Sequence, residues 1–464
     1  MRKTLVLVAA VVACASAAPW AADIPNDDAA VEHALNRLAY GPRPGDVEKV
    51  RRMGLSTWIE QQLDPARIDD SAMQARLPQM PSPPASATQQ ELQRFGRQQI
   101  QTIAGQKVMR SIYSERQLEE VLVDFWFNHF NVFAGKGRTA LFLPEYERDA
   151  IRPHIWGRFR DLLEATAKSP AMLFYLDNHL SVDPDAAERA AAQQRRRRAA
   201  NANQPAAAAL QRRRGLNENY ARELLELHTL GVDGGYTQQD IVEVARALTG
   251  WGIAQARQTR GTRGDSQDQP MMMTVGTGAF RFMPAMHDTR EKTVLGHTIN
   301  AGGGIEDGER VLDIVASHPS TARHIATKLV RRFVSDHPPE ALVARVAARF
   351  TETGGDLREI VRAVITSPEF FAAEHRATKT KTPIEFVVSA VRATGRDIRE
   401  PRPVVNALQQ LGMMPYMCQP PTGYDDAPET WISAGALVTR VNIAQRLAPD
   451  DQAARIGGPE FQRR

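Results

Sequence analysis

Residues 121–133 read VLVDFWFNHFNVF, and this stretch decides the fold. It is apolar on nearly every side of a helix, and such a helix belongs in the interior of a protein. We therefore expect the helix over 118–133 to lie at the centre of the molecule. One polar stripe interrupts it, because four polar residues follow one another at spacings of four, four and three: Glu120, Asp124, Asn128 and Asn131. Buried polar groups need partners, so this stripe must face another polar surface or a wet cleft.

The segments on either side of this helix also have helical patterns. Gly and Pro separate short amphipathic runs from residue 29 onward, and from residue 306 such runs follow one another without interruption. The only β pattern is the partial alternation of apolar residues in TGAFRFMPAMHDTREKTVLGHTI. The sequence thus predicts an all-α fold, a large multi-helix domain with a small irregular or β insertion near residues 276–300.

The domain organisation follows from composition. We expect one domain over residues 29–448 and a flexible tail over 449–464. Residues 254–275 form a polar loop, and residues 181–214 are low in complexity and rich in Arg, Ala and Gln. The net charge is +4, but residues 181–214 hold eight arginines against three acidic residues, so the basic character belongs to that segment. No aromatic residues interleave with these arginines, as base stacking would favour. We interpret the segment as an insertion, and nucleic acid is not an expected partner.

The chain begins with the pattern of a secretory signal peptide. A basic pair, an apolar run and several small residues follow one another within the first 18 positions. We expect residues 1–22 to be removed and the mature protein to be periplasmic or secreted, with lipidation of Cys14 as an alternative. No later stretch approaches the ~20 apolar residues that a transmembrane helix needs. Cys418 is the one other cysteine, so no disulfide is expected in the mature chain.

A second concentration of polar residues lies at 216–231, LNENYARELLELHTLG. On a helix, one side is formed by four polar residues: Asn219, Arg222, Glu223 and Glu226. This side is either a solvated face, with Arg222 paired to Glu218 and Glu226, or one wall of a polar cleft. His228 lies about 140° from Glu223 and about 160° from Glu226 around an ideal helix. The helix therefore cannot present a Glu–Glu–His metal site by itself.

Two chemistries fit these residues. A metal-assisted site built on Glu223 and Glu226 would need outside ligands, with His287 and Asp288 the first candidates and His129 and Asp124 the next. In an acid–base site, Glu223 is the general base and His287 the acid, while Arg222 or Lys292 holds an anionic group of the substrate. The catalytic candidates are Glu223, Glu226, His287 and Asp288; the candidate substrate-binding residues are Asn128, Asn219, Arg222 and Lys292. No motif identifies a cofactor, and metal binding stays open.

Four long motifs carry a resemblance to a known family. In chain order they are YERDAIRPHIWGRFRDLLEATAKSPAMLFYLDN, LNENYARELLELHTLGVDGGYTQQDIVEVARALTGW, FMPAMHDTREKTVLG and PPTGYDDAPETW. With these motifs the chain resembles the bacterial family called Domain of Unknown Function 1800, over about residues 29–448. The resemblance implies an exported protein and, as partner, a second exported protein encoded by a neighbouring gene. It implies no reaction.

Two functions are compatible with the sequence. The first is an enzyme with a polar acid–base or metal-assisted cleft formed by residues 124–131, 217–228 and 287–292. The second is a non-catalytic periplasmic binding or assembly factor for another exported protein, in which the same residues form a structural network. Convergence of the three segments on an open cleft would favour the enzyme.

Overall fold

The computed structural model describes residues 24–82, 86–186, 188, 215–254, 273–274 and 279–464. The expected signal peptide and most of the two expected segments at 181–214 and 254–275 lie outside these ranges. Within them, no helix combines the length and the apolar composition required to cross a bilayer.

Helices make up most of the described chain, so the all-α prediction is confirmed. The first half contains α1 Asp28–Leu38, α2 Asp46–Met53, α3 Leu55–Leu63, α4 Ser71–Gln74, α5 Gln89–Tyr113, α6 Gln117–His129, α7 Leu143–Glu145, α8 Phe159–Ala167 and α9 Pro170–Tyr175. The second half contains α10 Glu218–Glu223, α11 Gln238–Ala247, α12 Ile305–Ala316, α13 Pro319–Phe333, α14 Glu340–Glu352, α15 Leu357–Ile365, α16 Pro368–Phe371, α17 Pro383–Thr394, α18 Arg402–Gln410, α19 Pro428–Trp431, α20 Ala434–Leu447 and α21 Asp450–Gly457. Short 3₁₀ turns occupy Pro65–Arg67, Thr139–Leu141, Arg152–His154, Asn178–Leu180, Pro284–Met286 and Ala373–His375.

Helix α6 contains residues 121–129 of the apolar stretch and lies in the core, as predicted. The Trp126 side chain is fully buried. Its ring stacks on Phe130 with 6.1 Å between centroids and lies 6.0 Å from the ring of Phe159 at the start of α8. The helix ends at His129, four residues before the predicted end at 133. Aromatic packing on several sides therefore holds this helix between its neighbours.

The β structure is limited to short antiparallel pairs. Strand β5 (Lys292–Val294) pairs with β6 (His297–Ile299) inside the predicted insertion, which is confirmed. Strand β4 (Phe280–Phe282) also lies there, but its partner is β2 (Trp251–Ile253), directly after α11. A third pair joins β1 (Ser86–Ala87) and β3 (Met273–Thr274). The insertion is thereby tied to the helical domain through β2.

The helix predicted over 217–230 consists of two parts. Helix α10 is followed directly by one π-helical turn over Leu224–Thr229, and a second π turn occupies Tyr146–Ile151 after α7. π turns are rare and are frequent at functional sites. The next helix, α11, begins with a capping box: the Thr237 hydroxyl accepts from the Asp240 N–H at 3.2 Å and the Asp240 carboxylate accepts from the Thr237 N–H at 2.8 Å.

Residues 449–464 differ from the expected flexible tail. They form α21 and then return to the core, where Arg464 is buried and its guanidinium lies 3.1 Å from the Glu385 carboxylate. The Lys381 ammonium lies over the ring of Phe461 at 3.9 Å. The polar composition of this segment suggested flexibility, but a buried ion pair and a ring contact fix it against α17.

Candidate functional site

A cavity of about 410 Å³ lies between α6, α13 and the loop over residues 422–426. Helix α6 contributes part of the predicted polar stripe to its wall, and the residues are Asp124, Phe125, Asn128 and His129. Helix α13 contributes Lys328, Arg331 and Arg332. Asp124 and Asn128 of the polar stripe therefore face a cavity. The other two stripe residues have protein partners: Glu120 pairs with Arg152, and the Asn131 amide donates to the carbonyls of Cys418 and Pro420.

The 422–426 loop is fastened to α6 by Asn128. The Asn128 side-chain amide donates to the Tyr424 carbonyl at 2.6 Å, and its side-chain oxygen accepts from the Tyr424 N–H at 2.7 Å. Gly423 has φ +76°, and a Cβ at this position would lie 2.3 Å from the Asn128 backbone oxygen. Both ends of the Asn128 amide are thus occupied by the loop, so this predicted substrate-binding residue acts here as a clamp.

Lys328 is one of two cations on the cavity wall that have no partner among the described residues. Helix α13 begins at Pro319, whose fixed φ suits the first turn, and Ile325 and Leu329 bury its inner face. Lys328 lies on that side, half-buried, and makes no hydrogen bond or ion pair with any residue in the described ranges. Desolvation, together with the charge of Arg331, lowers the pKa of Lys328 to about 8, and the charge of Asp426 opposes this shift.

The other charged side chains on the cavity wall, apart from Arg331, have partners in the protein. Arg332 pairs with Glu385, whereas Arg331 is exposed and has no ion pair within the described part of the chain. Asp124 pairs with Lys107 at 2.7 Å. Asp426 lies 3.3 Å from the Lys379 ammonium.

Asp425 is the remaining carboxylate on the cavity wall. Its carboxylate accepts from the Ala427 N–H at 3.0 Å and from the Thr430 hydroxyl at 3.1 Å, at the start of α19. The cations without an anionic partner at this cavity are therefore Lys328 and Arg331, among the residues that the structure describes.

Three histidines lie beside Lys328. The His129 Nε2–H donates to the His228 carbonyl at 3.1 Å, and the His324 Nε2–H donates to the Leu227 carbonyl at 3.3 Å. The His129 ring lies 6.3 Å from that of His228 and 6.1 Å from that of His324, between centroids. Desolvation, followed by the charge of Lys328, lowers all three pKa values: that of His228 to about 3, that of His324 to about 4, and that of His129 well below its ordinary range. These imidazoles are neutral at physiological pH, and His129 is a buried histidine with a hydrogen bond to the backbone.

The polar face of α10 and its π turn forms few contacts with protein. Glu223 is half-buried, and its pKa is raised by desolvation and then by the charge of Glu226. Glu226 accepts a hydrogen bond from the Tyr236 hydroxyl at 3.3 Å. Arg222 donates to the side-chain oxygen of Gln238 at 2.9 Å and makes no ion pair with Glu226.

Glu218 and Asn219 also lie on the polar face of α10. Glu218 accepts from the same Gln238 side chain, at 2.7 Å, so the amide links it to Arg222 in place of the predicted direct pair. Asn219 is exposed, and its backbone N–H donates to Asn217.

The residues of the HDTREK segment lie in a buried network. His287 Nε2 lies 3.1 Å from an Asp307 oxygen, and the Lys292 ammonium donates to the same carboxylate at 2.7 Å. Asp288 accepts from the Arg246 guanidinium at 2.9 Å and also pairs with Arg290.

These contacts occupy the candidate catalytic residues His287 and Asp288 and the candidate substrate-binding residue Lys292, all of which are almost fully buried. Within the described ranges, no hydrogen bond or ion pair joins this network to Asn128 or Glu223. The same ranges contain no group of three or more His, Cys, Asp or Glu residues that could hold a metal ion.

Sequence reasoning did not single out Lys328 or Arg331. The available signal was their spacing, since positions 328, 331 and 332 lie close together on a helix. Lys328 also lies on the same face of α13 as the buried positions, whereas a fully solvated lysine would lie on the opposite face.

The family model described as "Protein of unknown function (DUF1800)" matches residues 33–462 of this chain. No curated protein and no solved structure matches it. Because the match spans nearly the whole sequence, the chain belongs to the DUF1800 family.

Proposed function

We propose that this protein is an enzyme that binds a small anionic molecule in the cavity between α6, α13 and residues 422–426, with Lys328 as the acid–base group. The observation that carries this proposal is a half-buried amine that faces a cavity and has no partner in the described protein. A cavity of about 410 Å³ falls in the size range of small-molecule sites.

The charge around the cavity indicates the kind of ligand. Lys328 and Arg331 lie one turn apart on α13, and neither lies within ion-pair distance of a carboxylate of the described chain. Phe125 and Met413 supply apolar surface to the same walls. A carboxylate or phosphate on a small organic group would meet both features.

The pKa of Lys328 suits general acid–base catalysis. A value of about 8 leaves a substantial fraction of the amine neutral near physiological pH, where an ordinary lysine is almost fully charged. If the neutral amine is the base, turnover should rise with pH through this value. Binding of the anion should weaken over the same interval, because the ammonium charge is lost.

This proposal moves the reacting group away from the residues favoured by the sequence. Asp124 and Asn128 of the 124–131 segment line the proposed cavity, whereas the HDTREK residues have protein partners. Glu223 and Glu226 stay candidates for a separate acid–base role, since Glu223 is half-buried with a raised pKa. A Glu223→Gln variant that folds and turns over normally would remove that role.

Ligand binding is the direct test. The purified protein is screened by thermal shift and calorimetry against small carboxylates and organic phosphates, in parallel with Lys328→Met and Lys49→Met. Lys49 is exposed and lies outside this cavity, so its variant controls for the loss of one amine. We expect saturable binding by the wild type and the Lys49 variant, and at least tenfold weaker binding, about 1.4 kcal/mol, by Lys328→Met. Equal binding by all three proteins would contradict the proposal.

A non-catalytic binding or assembly factor is the second candidate, and one observation favours it. Around α20, four large apolar side chains are between 39% and 61% exposed: Ile432, Leu437, Val438 and Val441. Three of them have the spacing of one helix face, and exposed apolar patches often mark protein contacts. Under this function, Val438→Glu should abolish capture of the neighbouring-gene protein while leaving small-anion binding intact.

Export is part of both candidate functions and rests on the first 18 residues. Fractionation of cells that express the full chain is the test. We expect the protein in the periplasm or medium, with an N-terminus that begins after residue 22. Retention of an uncleaved chain in the cytoplasm would contradict it.

A further inference from the structure

We propose that Lys328 is a nucleophile that forms an imine with the carbonyl carbon of an oxo acid, so that the substrate class is a small carboxylate with a ketone or aldehyde. This inference deepens the proposed function and rests on it, because it uses the same cavity and the same amine.

The surroundings of Lys328 differ from those of the other described lysines. Among the eight lysines in the described ranges, six lie within ion-pair distance of a carboxylate: Lys49, Lys107, Lys136, Lys168, Lys292 and Lys379. Lys381 is buried and its ammonium lies against the Phe461 ring at 3.9 Å. Lys328 is the one of these that lines the cavity with its amine free of a carboxylate. An amine must be unprotonated and unshielded to attack a carbonyl.

The residues near the Lys328 amine favour its neutral form. Arg331 follows one turn later on the same helix, and a cationic neighbour disfavours the ammonium form. The three histidines beside Lys328 are neutral, so they do not stabilise the ammonium either. Desolvation and like charge are the two means by which proteins activate lysine for carbonyl chemistry, and both are present here.

Arg331 can bind the anionic group of the ligand. Once Lys328 acts as the neutral nucleophile, it no longer contributes charge to anion binding. Arg331 still does, and its guanidinium has no ion pair with the described chain. A carboxylate held by Arg331 would leave a carbonyl carbon of the same molecule to be reached by Lys328. This division of roles favours an oxo acid over a simple carboxylate.

The step balances without a further reactant. The nitrogen lone pair forms a bond to the carbonyl carbon, and the C=O π electrons move to oxygen to give a carbinolamine. The carbon–oxygen bond then breaks, and both hydrogens of the neutral amine leave with the oxygen as water. The product is a C=N bond between ligand and Lys328, and nothing is oxidised or reduced.

Reductive trapping tests this inference on the full chain. Pyruvate, 2-oxoglutarate and acetoacetate are each added with sodium cyanoborohydride, which reduces an imine to a stable amine. The adduct is found by intact mass and located by peptide mapping. The variants are Lys328→Arg, which keeps the positive charge but forms no such adduct, and the control Lys49→Arg. We expect a stoichiometric adduct on the Lys328 peptide in the wild type and the control, and none in Lys328→Arg.

The outcomes separate this inference from the proposed function. An adduct at Lys381 or at the N-terminus, or one of equal yield in Lys328→Arg, overturns the assignment of Lys328. Oxo-acid binding without a trapped adduct overturns imine formation but leaves the anion site intact. If the wild type binds no anion at all and gives no adduct, the proposed function fails as well. Retained oxo-acid binding by Lys328→Arg shows that the missing adduct does not reflect misfolding.

Discussion

The buried histidines beside the cavity should make the fold sensitive to acid, and His324 offers the cleanest test. Its pKa is lowered from 6.5 to about 4, by desolvation first and then by the charge of Lys328. Between these two values the unfolded chain binds a proton that the folded protein does not. The free energy of unfolding therefore falls as the pH falls through this window.

The size of the effect follows from the two pKa values. Lowering the pH from about 7.5 to about 5.5 should remove about 1.3 kcal/mol of stability through His324 alone. His324→Gln removes this titration, and a glutamine amide can still donate to the Leu227 carbonyl that His324 contacts at 3.3 Å. The variant should lose about 1.3 kcal/mol less stability than the wild type over the same pH interval.

Urea unfolding at the two pH values measures this difference, because each midpoint and slope gives the free energy of unfolding in water. His337→Gln is the control, since His337 is exposed and lies just beyond the same helix. A His324→Gln protein whose stability falls with pH as steeply as that of the wild type would refute the reasoning. An equal effect of His337→Gln would refute it too.

Three further substitutions test the fold around the site by urea unfolding. Gly423→Ala should destabilise the protein by about 2 kcal/mol or more, because the residue has φ +76° and its Cβ would meet the Asn128 backbone oxygen; wild-type stability would show that the loop can move away. Asp307→Asn should cost about 3–5 kcal/mol, because it leaves the Lys292 ammonium buried without its anion, and a neutral result would mean that this network is solvated. Trp126→Ala should cost about 3–5 kcal/mol, and an unchanged melting midpoint would show that α6 is not central.

The burial of the central helix could be predicted from sequence, because the distribution of apolar residues within this one helix is sufficient to show it. The stretch at 121–133 is apolar on nearly all sides, and no placement but the interior suits it. The same pattern predicted that Asp124 and Asn128 would face polar surroundings, and both line the cavity. The strands near 276–300 could be predicted from the alternation of apolar residues. The pairing of β4 with β2 could not, because nothing in the sequence of either segment identifies the other as its partner.

The reacting group could not be predicted, because its property arises from packing. Lys328 differs from the other described lysines because its amine lines this cavity without an ion-pair partner, and that position depends on how α13 meets α6 and residues 422–426. The opposite holds for the HDTREK segment. Its ionisable residues suggested a catalytic cluster, but Asp307, Thr249 and Arg246 from other elements occupy their polar atoms. Sequence shows which groups are available, and only the tertiary contacts show which are already used.

The clamp between Asn128 and Tyr424 has a consequence for the kinetics of ligand entry. Two short hydrogen bonds and a glycine that tolerates no side chain fix the 422–426 loop to a central helix. A ligand would therefore meet a wall that is already in its bound shape, and little conformational entropy would be lost on association. We expect free and ligand-bound proteins to superimpose at this loop, with an association rate limited by diffusion and access and not by a slow closing step.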